Sequence, residues 1–373
     1  MAFLPRIKDA HRPVRAADGR ILIGSSIYGV AADIVDDDAG TVWRLIELMD
    51  GTRDVDGVVT TLAAERPGVD TAGLADGIRT LVESGFVEDH GAGPPARLSQ
   101  REIERYSRST AFFEWADVAP RSSPHEIQCR LKDSRVAIVG VGGSGSAVAM
   151  SLVATGVGSV ACYDFDRVEE SNLNRQLLYT EDDLGQPKVH RAVDRLRRLN
   201  SHVLVTGAEL RVTSADDLVP VMRDVDLCVL CADTPADLIQ AWTNTAALRT
   251  GTPWLVAMHG GPMVVTGIYQ PGTTPCYQCA MHGLVERSVA AWGAPPLPQR
   301  TAVTATIAPT AMIAGHLGAL EAIYFLAGMR PQTVGRQYHQ NLLVYDHQDF
   351  AEPAFWDDCP ACGPAGEFPR RDG

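Results

Sequence analysis

Apolar and polar positions alternate over Gly19–Ser25 and again over Tyr28–Val35, the period of two short strands with a turn at Ser25-Ser26. Beyond Asp36-Asp37-Asp38 the period lengthens to that of a helix, with Val42, Leu45, Ile46 and Met49 on one face of Ala39–Met49. Gly51-Thr52-Arg53-Asp54 breaks it. A second helix carries Val55, Val58, Val59 and Leu62, and a third runs Thr71–Ser84 with Gly85 as its cap. Phe86-Val87-Glu88 reads as a closing strand. Two strands, three helices and a strand form the pattern of a small winged-helix (α+β) domain over residues 1–92, and Gly91-Ala92-Gly93-Pro94-Pro95 opens a flexible linker placed at 93–100.

From Arg135 strands and helices alternate. Arg135–Gly140, Ser159–Asp164, His202–Gly207, Asp226–Leu230 and Trp254–Met258 read as strands, with helices at Ser144–Thr155, Lys188–Leu199 and Ala236–Arg249 between them. This predicts a Rossmann-like, doubly wound, mostly parallel sheet in a second domain, 101–373. The most apolar stretch, Ala302–Met329, holds Pro309, His316 and Glu321, which predicts a buried helix and no membrane span. The residues after Met1 lack the apolar run of a signal peptide, so a cytoplasmic protein is expected. The formal charge is −13, and both domains are acidic, which argues against a nucleic-acid partner.

The cysteines add a metal. Cys276-x-x-Cys279 and Cys359-x-x-Cys362 are matched pairs in Pro- and Gly-containing turns, the thiolate set that tetrahedral zinc prefers. With all four positions filled the site is structural. Cys162, Cys228 and Cys231 lie in or beside apolar strands and read as core.

Between the first strand and helix of the second domain stands Gly140-Val141-Gly142-Gly143-Ser144-Gly145, a phosphate-cradling loop that alone admits NAD, FAD or ATP. Asp164, 19 residues after Gly145, ends the next strand, where an acid accepts bonds from a ribose. The run Asp164–Gln176 and Gly185-Gln186-Pro187-Lys188 is no dehydrogenase pattern. It brings two cations, Arg175 and Lys188, to the glycine loop, and Cys231-Ala232-Asp233 adds an acid suited to Mg²⁺. Triphosphate is the ligand that needs this set.

Taken in order, these motifs and the two CxxC pairs resemble the ubiquitin-activating-type (ThiF/MoeB/HesA) adenylyltransferases over about residues 99–363. The resemblance implies formation of an acyl adenylate and pyrophosphate from ATP and a carboxylate. It implies that Gly140, Gly142, Gly143, Gly145, Asp164 and Asp166 bind the nucleotide, Asp164 at the ribose. Asn172, Arg175, Gln176 and Lys188 would hold the phosphates, and Asp233 the Mg²⁺. It implies a homodimer in which Arg108, within Arg105-Tyr106-Ser107-Arg108, reaches the partner's ATP. The stretch His282–Thr304, where thioester-forming members carry a cysteine, has none, so no protein thioester is expected. Cys129 is a weak nucleophile candidate, and His259 and His282 read as structural.

Residues 18–90 resemble the PqqD-like peptide-recognition domains of ribosomal-peptide biosynthesis, and the two domains together look like the microcin C and pantocin-type maturation enzymes. The substrate implied is the carboxylate, most simply C-terminal, of a ribosomally made precursor peptide. The alternatives are activation of a ubiquitin-like sulfur carrier, or a non-catalytic docking subunit of an azoline-forming complex.

Overall fold

A computed structural model describes residues 2–25, 30–236, 238–295 and 305–368, and the chain divides into two compact units, Met1–Arg130 and Leu131–Gly373. The proposed turn at Ser26 and part of His282–Thr304 lie outside the described residues.

The first unit holds β1 (Pro5–Ile7), β2 (Val14–Arg15), β3 (Ile21–Ser25), β4 (Val30–Ile34), α1 (Thr41–Leu48), α2 (Val55–Glu65), α3 (Thr71–Glu83) and β5 (Val87–Asp89). It continues through α4 (Gln100–Arg105), α5 (Ser107–Ala116) and most of α6 (Glu126–Asp133). The winged-helix pattern stands, with two additions. β2 extends β3 and β4 into an antiparallel sheet ordered β2-β3-β4, and β1 pairs with β5, Ile7 opposite Val87. The acidic run is absorbed by capping: Asp37 accepts from Thr41 N–H and Asp36 from Val42 N–H at the start of α1. The apolar faces then meet in one core containing Ile21, Leu45, Ile46, Val58, Leu62 and Ile78.

The linker read at 93–100 lies inside this unit. Lys8 Nζ donates to the Asp117 carbonyl at 3.0 Å, and the Glu114 carbonyl lies 3.1 Å from His11 Nε2. Gly85, at φ +75°, packs so closely on Val118 that a Cβ would strike its backbone carbonyl. Residues 100–130 thus belong by contact with the winged helix, although the glycine- and proline-rich break is locally real.

A pH effect follows from this packing. Glu114 is half-buried, and burial first, then Glu88, pushes its pKa up from 4.5 to about 7. The folded state keeps a proton that the unfolded chain has released, so this carboxyl weakens the fold as pH rises through that window. His11 and His125, depressed by burial, act oppositely, because at lower pH the unfolded chain takes up protons that the folded one refuses. The difference between proteins isolates Glu114. Glu114→Gln should gain melting temperature over the parent between about pH 5 and 8; a pH-independent difference would remove Glu114 from the balance.

The second unit is built on an eight-stranded sheet. In chain order it comprises β6 (Arg135–Val139), α7 (Gly143–Thr155), β7 (Ser159–Asp164), α8 (Lys188–Leu199), β8 (Leu204–Glu209), α9 (Val219–Met222), β9 (Leu227–Leu230), α10 (Ile239–Thr250) and β10 (Trp254–Gly260). Then come β11 (Met263–Tyr269), α11 (Tyr277–Trp292), α12 (Ala308–Ala327), β12 (Gln337–Asn341) and β13 (Gln348–Ala351). The order is β13-β12-β11-β10-β9-β6-β7-β8: parallel from β8 to β10, antiparallel from β10 to β13. The chain reverses its winding between β6 and β9, which opens a crevice at their carboxyl ends.

Among the described residues α12 is the one helix long and apolar enough to cross a membrane. It is a core helix, as Ala302–Met329 predicted. A Cβ on its Gly318 would lie 2.5 Å from Ala257 of β10, and its buried Glu321 accepts bonds from Gln332 N–H, Thr333 N–H and the Thr333 hydroxyl.

Candidate active site

The crevice is a cavity of about 530 Å³ at the carboxyl ends of β6, β7, β9 and β10. Ten of the residues expected at the nucleotide line it: Gly140, Gly142, Gly143, Asp164 and Asp166 with Asn172, Arg175, Gln176, Lys188 and Asp233. Gly145 stands behind the wall. A Cβ there would strike the Gly140 carbonyl, so this glycine lets α7 close on β6. Gly140 adopts φ +90°, with Ala232 N 2.6 Å from where a Cβ would sit, so the turn requires glycine twice over.

Asp164 is 8% exposed and clamps the loop it faces. Its Oδ2 accepts from Val141 N–H and its Oδ1 from Asp166 N–H, both at 2.8 Å. Burial raises its pKa against those two bonds, which lower it. Each oxygen retains a lone pair for a further donor. Buried Lys188 pairs with half-exposed Asp166 at 3.1 Å, and Arg175 is held from behind by the Ser171 carbonyl at 2.7 Å and Asn174 Oδ1 at 3.0 Å. Gln176 is buried, and its Oε1 has no partner among the described residues. Asn172 is engaged at Oδ1 by Glu169 N–H. Asp233 is exposed at the end of β9, its carboxylate met by the Thr234 hydroxyl at 3.3 Å and by no cation among the described residues. Arg108 lies in the other unit, exposed on α5.

The ThiF family model matches residues 106–361. The chain belongs to the ThiF family. It is an ATP-dependent adenylyltransferase of this family, as the motifs implied. It is 35% identical over 270 residues to the sulfur carrier protein ThiS adenylyltransferase of Bacillus subtilis, covering 71% of this chain and 73% of that one. It is 34% identical over 256 residues to the molybdopterin-synthase adenylyltransferase of Escherichia coli, covering 67% and 91%. Among solved structures, E. coli MccB with ATP superposes with a TM-score of 0.74 at 23% identity, covering 96% of this chain and 99% of that one. The microcin C7 biosynthetic enzyme MccB in complex with N-formylated MccA gives 0.70 at 23%, covering 98% and 99%.

Some lining residues were not among the expected site residues. Phe165 and Arg211, immediately beyond β7 and just beyond β8, stack with the guanidinium 3.8 Å from the ring centre. His259, which the sequence assigned to structure, faces the cavity near the end of β10. The signal that could have found all three is position, since each follows or ends a strand on the side where such sheets bind ligands.

The four zinc-type cysteines converge. Cys276 and Cys279 lie 3.9 Å apart, Cys276 and Cys359 3.7 Å, Cys279 and Cys362 3.5 Å, all buried and within 4.8 Å of one another. A tetrahedral ion with Zn–S bonds of about 2.3 Å sets its sulfurs about 3.8 Å apart, whereas a disulfide needs about 2.05 Å. The donor set therefore fits zinc. His282 stacks on Trp356 beside the cluster at 4.1 Å, which accounts for it structurally. Cys279→Ser should abolish stoichiometric zinc by metal analysis and lower the melting temperature by about 6 °C or more, the shift that about 3 kcal/mol produces in a domain of this size. An unchanged metal content would remove the cluster as a zinc site.

Proposed function

We propose that the chain adenylylates a carboxylate, most simply the C-terminal one, of a ribosomally made precursor peptide that its first unit binds. The observation supporting this is the MccB-like fold, which extends over 96% of the chain and so takes in the first unit, while the sulfur-carrier relatives match 67–71% of it. In the first unit β4 is, among the described residues, an edge strand with β3 on one side only, the kind of edge to which PqqD-like domains add an extended peptide.

In this reading Asp164 accepts the ribose hydroxyls while its clamp on the glycine loop shapes the phosphate cradle. Lys188 and Arg175 bind the phosphates, and Asp166 is the counter-ion that Lys188 leaves or shares when they arrive. Gln176 and Asn172 line the same wall. Mg²⁺, held by Asp233, would supply charge neutralisation at the reacting phosphate. The substrate carboxylate oxygen attacks the α-phosphorus, the bond to the bridging oxygen breaks, and pyrophosphate leaves with that electron pair. No protein nucleophile or proton transfer is needed, so catalysis is positioning and charge neutralisation. The chain acts as a homodimer in the cytoplasm, where four reduced thiols can keep zinc.

The sulfur-carrier reading is favoured by the 35% identical relative, which acts on the sulfur carrier protein ThiS. Pyrophosphate exchange separates the two. A precursor peptide with a free C-terminus should support exchange and its C-terminal amide should not. Exchange with a carrier ending in Gly-Gly, and none with peptide, would transfer the function to the second reading.

A further inference from the structure

A hydrogen-bonded chain runs through His259, which lines the cavity. Ser144 Oγ lies 3.2 Å from its Nδ1, and Thr306 Oγ1 lies 2.6 Å from its Nε2. Ser144 stands in the first turn of α7, within the glycine loop itself. The Thr306 carbonyl accepts from Asn174 Nδ2 at 3.4 Å, and Asn174 Oδ1 accepts from Arg175 Nη1 at 3.0 Å. The imidazole is thus the central link between the N-terminus of α7 and the guanidinium expected at the phosphates. We propose that His259 is a positioning residue for the nucleotide's phosphates, holding Ser144 directly and Arg175 through Thr306 and Asn174.

The chemistry of the ring makes the link more than a strut. Burial first, then nearby Arg175, depress the pKa of His259 against the opposing pull of Asp233, so the ring is neutral at ordinary pH. A neutral imidazole has one donor and one acceptor. One hydroxyl must therefore donate to the ring while the other accepts from it. When Nδ1 carries the proton, Ser144 accepts from it and its own proton is free for a phosphate oxygen at the helix N-terminus, while Thr306 donates to Nε2. When Nε2 carries the proton, Ser144 spends its proton on the ring. An anion at the glycine loop selects the first tautomer, because only that one offers it a donor from Ser144.

This inference rests on the ATP-site reading and is independent of the acyl substrate. Its test is calorimetric titration of the intact chain with Mg·ATP and, separately, with adenosine. His259→Leu should weaken Mg·ATP binding by about tenfold, the scale of a lost bond to a charged group, and leave adenosine within about twofold. His259→Gln, whose amide supplies both a donor and an acceptor group, should return Mg·ATP to within about threefold of the parent. Thr306→Val, which removes one hydroxyl at nearly constant size, should weaken Mg·ATP by about threefold or more with adenosine again unmoved. Equal losses for ATP and adenosine, or no rescue by Gln, would make His259 merely structural. If the Leu variant fails to fold, an unchanged ATP affinity in Thr306→Val overturns the inference. A parent that binds adenosine as tightly as Mg·ATP would sink the phosphate reading of the cavity itself, a separate failure.

Discussion

Pyrophosphate exchange in Asp233→Ala should fall by about 10²-fold or more, while Mg·ATP still binds. The expectation comes from an imbalance. Four cations line the cavity, Arg167, Arg175, Lys188 and Arg211, and Lys188 already has Asp166 as partner at 3.1 Å, yet Asp233 has no cation among the described residues. An exposed carboxylate facing an anionic ligand would repel it unless a metal stands between them. Ground-state affinity should survive because the glycine loop, Arg175 and Lys188 remain. The loss should fall on the step in which charge develops at the α-phosphate. Asp233→Asn keeps the size and removes the charge, so it should be nearly as inactive. Exchange within about threefold of the parent in either variant would take Asp233 out of the reaction.

The parts of this molecule that were legible are those whose chemistry is local in sequence. The glycine loop, the Asp164–Gln176 run and Lys188 each occupy a short window, and the parallel strands that carry them are continuous apolar runs such as Val136–Val139 and Leu227–Leu230, buried on both faces. Legibility failed where pairing, not pattern, decides structure. Gln337–Asn341 is polar, and it is a strand because β11 and β13 pair with it on either side, Val265 opposite His339 and His339 opposite Asp349. The division of the chain was hidden for the same reason, since Lys8 and Asp117 meet across 109 positions. His259 was missed because its neighbours in sequence belong to no motif. Its partners, Ser144 and Thr306, are 115 and 47 residues away.

Arg108→Ala and Asp233→Ala should each be nearly inactive alone and recover activity when mixed. Arg108 is exposed on α5 of the first unit and has no ion-pair partner among the described residues, so its guanidinium is available to a ligand outside its own unit. The family resemblance directs it to the ATP of the other subunit, where it would neutralise phosphate charge as an arginine finger does. In a mixed dimer the Arg108→Ala subunit keeps Asp233 and receives an intact arginine from its neighbour, so that site is complete. The other site lacks both groups. With random exchange about half the dimers are mixed and each has one working site of two, so activity should return to about a quarter of wild type. A cis role gives the opposite result, because each subunit of the mixed dimer would then carry its own defect. Exchange verified by native mass measurement, together with no recovery, would confine Arg108 to its own subunit or remove it from the site.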